Sequence, residues 1–128
     1  MKSKVSARYK YSSAIQGFIL WGCWAFYINS NVSFYAGIIA GFVQGMFSFF
    51  ATLIVIHLLT KLYDFFKAPL VKLIVSPTIM IICLTSILIL VHTLTKTPKI
   101  IATITPSLIV ATLFISFTTY KLANKKPY

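Results

Sequence analysis

The stretch YAGIIAGFVQGMFSFFATLIVIH, residues 35–57, decides the fold. It holds no Asp, Glu, Lys or Arg. It is longer than the about 20 residues with which a helix crosses a hydrocarbon core of roughly 30 Å. A charge at its centre would cost roughly 2.5–3.5 kcal/mol on insertion, so an uncharged run of this length reads as a membrane span. Three further runs, 13–30, 73–95 and 100–120, are equally free of charge. The expected architecture is an all-α integral membrane bundle: one domain over 1–128, with four transmembrane helices arranged as two hairpins.

Composition supports this reading. Of the 128 residues, 59% are apolar and 10% charged, whereas soluble domains average about 45–50% and about 25%. So much apolar surface must face lipid. Twelve Lys/Arg stand against a single acid, Asp64, for a net charge of +11. Nucleic acid is not the expected partner, because the basic residues lie outside the apolar runs, where positive-inside loops carry them. They are Lys2, Lys4, Arg8 and Lys10 before the first run, and Lys61, Lys67 and Lys72 in the middle connector. Lys96 and Lys99 follow the third run, and Lys121, Lys125 and Lys126 follow the fourth. A cytoplasmic amino terminus leaves only Lys96 and Lys99 outside, so both termini are expected in the cytoplasm of an inner-membrane, multi-pass protein. No small-x-small cleavage site follows the basic start, so the first run is read as a retained signal anchor.

The outer turns are then 29–33 and 95–98. In the middle connector, 58–72, Thr60, Lys61, Asp64 and Lys67 recur at helical spacing while Leu62, Phe65, Phe66 and Leu70 face away. That pattern suits either a short amphipathic cytoplasmic helix in the interface or an extension of the second span. Pro69 is expected to end either one.

Within the spans the clearest signal is Gly37-x-x-x-Gly41-x-x-x-Gly45, continued by Ser48. Small residues four apart let another helix approach closely, either within the bundle or from a partner subunit or second copy. Gln16 and Gln44 are the most polar side chains well inside the spans, as glue between helices or as substrate contacts. Gln16 lies roughly 5 Å from the inner end of its span and Gln44 roughly 14 Å from the outer end of its own, so the two are not expected to pair. Pro106 removes a backbone donor, and neighbouring hydroxyls are expected to satisfy the freed carbonyl. His57 and His92 fall at opposite boundaries without a carboxylate and read as interfacial. Cys23 and Cys83 read as packing thiols.

No nucleophile with a base, carboxylate pair, metal cluster or phosphate-cradling loop is apparent, so neither enzymatic chemistry nor a cofactor or metal is expected. Lys61, Lys67, Lys72 and Lys121 are candidate contacts for anionic lipid or phosphate, each worth about 1 kcal/mol near the surface.

Lys10-Tyr11-Ser12-Ser13, Ala40-Gly41-Phe42-Val43 and Ser48-Phe49-Phe50-Ala51, together with the four-span layout, resemble the GtrA-like family of small membrane proteins. The resemblance implies a part in moving polyprenyl-linked sugars across a bacterial inner membrane, with membrane lipids as partners. It assigns no functional residue. The other reading of the sequence is a non-enzymatic accessory or scaffold subunit of a membrane complex; a holin-like pore former is a third.

Overall fold

The structure, a computed structural model, describes residues 7–124, and Lys2, Lys4, Lys125 and Lys126 lie outside the described residues. The described residues are all-α, with four helices: α1 (Ala7–Ser30), α2 (Phe34–Phe65), α3 (Pro69–Leu94) and α4 (Ile100–Ala123). Three of them, α2, α3 and α4, are long and apolar enough to cross a membrane. α1 has the length, at 24 residues, but it dilutes its apolar side chains with Ser12, Ser13, Gln16 and Asn29.

The connector is resolved in favour of the extension. α2 runs unbroken for 32 residues to Phe65, so 58–72 does not form a separate amphipathic helix. Nothing between His57 and Phe65 opposes helical backbone. The break comes where Phe66 and Ala68 turn extended (ψ 143° and 129°). Ala68 precedes a proline, whose ring disfavours helical backbone at the residue before it. Pro69 itself does not end a helix as expected. It opens α3 at the first turn, where a missing N–H costs nothing.

The turn between α1 and α2 is capped by Ser33, whose Oγ accepts from the Ala36 N–H at 3.0 Å. α1 then packs antiparallel on α2. Glycine positions fix the register: Gly37 meets Ser30 and Phe26, Gly41 meets Gly22, Gly45 meets Phe18, and Ser48 meets Gly17. A methyl group at Gly41 would lie 2.9 Å from the Gly22 carbonyl oxygen, and one at Gly22 would lie 3.0 Å from the Gly41 carbonyl oxygen. The two backbones therefore touch directly. In lipid this contact replaces the hydrophobic drive that a soluble core would supply.

α3 and α4 complete the bundle against α2. Val55, Leu59, Met80 and Ile115 form a buried apolar cluster, flanked by Leu62 and Leu122. That cluster brings the carboxyl-terminal parts of α2 and α4 to one end of the molecule. Arg8, Lys10, Lys61, Lys67, Lys72 and Lys121 share this end, while Lys96 and Lys99 lie at the other. The outer surface is apolar almost everywhere, with Leu20, Phe42, Ile82, Leu90 and Leu113 among the exposed side chains.

Candidate functional site

The site begins at the carboxyl end of α3. Lys96 has φ 54°, the left-handed conformation that ends many helices. Its N–H bonds Thr93 O (3.1 Å) and the Thr97 N–H bonds His92 O (2.9 Å). These two bonds are the paired closures of a Schellman cap, a place usually held by glycine and sealed by an apolar contact between the first and last residues. Here the seal is polar. Thr97 Oγ1 lies 2.7 Å from His92 Nδ1, so the cap folds the turn onto the imidazole, and both residues are buried.

The other face of the imidazole reaches α2. His92 Nε2 is 2.7 Å from Gln44 Oε1, and Gln44 Nε2 donates to Ser107 Oγ on α4 at 3.0 Å. The directions of these bonds follow in order. Ser107 uses its own proton on Ile104 O (2.9 Å), so its oxygen is the acceptor for the Gln44 amide nitrogen. That sets the amide, and its carbonyl then accepts from Nε2–H. A neutral ring in this tautomer accepts from the Thr97 hydroxyl at Nδ1. One chain of hydrogen bonds thus ties the turn between α3 and α4 to α3, α2 and α4.

A second polar seam joins α1 to α4. Asn29 Oδ1 accepts from the Lys99 N–H at 3.0 Å, and its Nδ2 donates to Thr103 Oγ1 (2.7 Å) and Ala25 O (2.8 Å). Asn29 therefore caps the start of α4 from a neighbouring helix. Three residues further along, Pro106 leaves Ala102 O without a helical donor. The Trp24 indole N–H fills that vacancy at 3.1 Å. The expected hydroxyl does not, because Thr105 bonds Ile101 O and Ser107 bonds Ile104 O.

A half-open cavity of about 220 Å³ lies beneath the imidazole network, between all four helices. Gln44, Ser48, Thr52 and Ser107 are its polar lining residues, with Trp21, Val55, Leu88 and Ile115 among the apolar ones. Beside it, a groove of about 680 Å³ runs between α2 and α3 and is lined by apolar side chains and Lys61. Phe47, Ala51, Val55 and Leu84 line both.

Of the residues singled out from sequence, Gly37, Gly41, Gly45 and Ser48 share one buried stripe, and α1 occupies it. Gln44 joins the network, whereas Gln16 is exposed on α1 and stands apart from it. Pro106 sits on the α1–α4 seam. Lys61, Lys67 and Lys121 are exposed at the basic end. The ammonium of Lys72 lies 5.1 Å over the Tyr63 ring and that of Lys121 lies 4.6 Å over Phe117. Cys23 and Cys83 are exposed free thiols, not buried packing groups, and His57 is exposed.

His92, read from sequence as an interfacial residue without a role, is fully buried within the bundle and joins this network. The ring reaches across to Gln44 on α2, a contact that the position of His92 along its own helix does not announce. Asn29, Trp24, Thr97, Thr103 and Ser107 were likewise not legible as site residues. The one signal for the seam is that a proline inside a span must find its carbonyl a donor. Among the described residues no three His, Cys, Asp or Glu side chains gather as a metal site would need.

Comparison with family models, with curated proteins and with solved structures gave no match for this chain.

Proposed function

We propose that this chain is a four-span component for translocating a lipid-linked phosphate substrate, with α1 as the fourth span. The helices form two hairpins in an inner membrane, and both termini are cytoplasmic. The single observation carrying this reading is the central cavity, open on one side, with an amide and hydroxyls in its lining. A polar head crossing a bilayer needs hydrogen-bonding groups where there is no water, and intramembrane polar groups otherwise pack away from lipid. The basic end supplies lysines to gather a phosphate head at the inner surface. The resemblance of the sequence to the GtrA-like family favours the same class of substrate.

The alternative, an accessory or scaffold subunit, takes its sequence support from the glycine stripe. With α1 seated on that stripe, the support goes to folding within the chain.

Reconstitution tests the proposal. Vesicles containing the protein should move a fluorescent polyprenyl phosphate between leaflets faster than protein-free vesicles. Gln44→Leu should slow this by about tenfold if the amide supplies about 1.4 kcal/mol to the crossing. No acceleration by the native chain, with the helical content intact, would overturn the reading.

A further inference from the structure

We infer that the groove between α2 and α3 is a site for the single hydrocarbon chain of a lipid phosphate, with Lys61 as its phosphate contact. This inference rests on the lipid-linked reading above and adds where such a molecule is held. Phe47, Ile54, Leu58 and Phe65 form the α2 wall, and Met80 and Ile87 part of the α3 wall. Lys61 is the one charged residue lining it. At bilayer depth an apolar groove fills with hydrocarbon, because unfilled walls lose their dispersion contacts.

Two observations choose the occupant. The first is charge. Lys61 is exposed at the basic end, so an anionic head placed there keeps its chain in the groove and its phosphate beside an ammonium. The second is length. From Lys61 to Phe47 the helix rises about 21 Å, and half a hydrocarbon core is only about 15 Å. Lys61 stands at the edge of the hydrocarbon, so a chain anchored there that fills the groove reaches to about the bilayer midplane. A lipid phosphate whose single chain is about this long fills the groove along its length with its phosphate beside Lys61. Because the groove shares a wall with the central cavity, the chain would lie beside the space proposed for the head during crossing.

Two native thiols provide the test. Cys83 lines the groove, while Cys23 is exposed on α1 away from its lining. The full chain is placed in phosphatidylcholine nanodiscs, and modification of each cysteine by N-ethylmaleimide is followed by peptide mass spectrometry. Geranylgeranyl phosphate at about ten times its dissociation constant should slow modification of Cys83 by about tenfold, by mass action, and leave Cys23 unchanged. Lys61→Gln should abolish the protection and Lys61→Arg should retain it. Absence of protection, equal slowing of both thiols, or equal protection by geranylgeraniol or by phosphatidylglycerol would each overturn the site. Leaflet transfer measured on the same preparation separates the two ideas. Transfer without protection of Cys83 rejects this groove alone, and protection without transfer rejects the transport function alone.

Discussion

Trp24 and Pro106 form a pair whose chemistry is readable atom by atom. The proline ring deletes one helical donor, and the indole N–H of another helix takes its place at Ala102 O. Trp24→Phe should therefore destabilise the bundle by about 0.6 kcal/mol, the average for hydrogen bonds within membranes, and by no more than about 1.7 kcal/mol. Pro106→Ala restores an N–H at that position and makes the indole redundant. In the Pro106→Ala background, Trp24→Phe should cost clearly less, and a double-mutant cycle by thermal unfolding in detergent measures the difference. Strictly additive effects would exclude the substitution of one donor for the other. Lys96 offers a test of the opposite sign. Its left-handed backbone (φ 54°) costs a residue with a Cβ about 1–2 kcal/mol, so Lys96→Gly should raise stability by up to about 1 kcal/mol after the extra freedom of the unfolded chain is counted. Lys96→Val should lower it.

Between α1 and α2 the contact is made of backbone as much as of side chains. Gly41→Leu should prevent the two helices from closing, because even a methyl group there meets the Gly22 carbonyl and the Phe26 Cβ at 2.9 and 3.2 Å. Gly22→Leu should fail in the same way from the opposite side. Phe42→Leu, on the exposed face beside it, should change stability by less than about 0.5 kcal/mol. Unfolding yield and melting temperature after purification would expose any reversal of this order. The stripe was legible because small residues four apart are a pattern of sequence, and so were the long apolar spans. Gly22, its counterpart, was not, since one glycine among aromatics makes no pattern of its own. The His92 network escaped for a different reason. Its geometry depends on the Schellman cap, and a lysine at the left-handed position hides a cap that a glycine would have announced. The extension of α2 was open in sequence because a charged amphipathic segment looks alike whether it lies on a surface or continues a span.

At the scale of the whole molecule, charge and helix order make one statement about orientation. Cysteines introduced at Asn31 and Lys96 should react with an impermeant reagent from outside intact cells, and one at Lys67 only after permeabilisation. Labelling of positions 31 and 67 from the same side would reject a four-span arrangement. The length of α2 then has a consequence for the bilayer itself. Its 32 residues span about 48 Å. A helix tilted by 40°, the upper end of what is seen, takes up only about 39 Å within a core of roughly 30 Å. About six residues must stand clear of the hydrocarbon, and Thr60 to Phe65, with Lys61 and Asp64, are the segment fitted to do so. The overhang is not fixed. In a thicker membrane the helix stands upright and Lys61 is drawn toward the acyl chains; in a thinner one it is pushed into water. The length of α2 therefore ties the depth of Lys61 to the thickness of the lipid as much as to the protein.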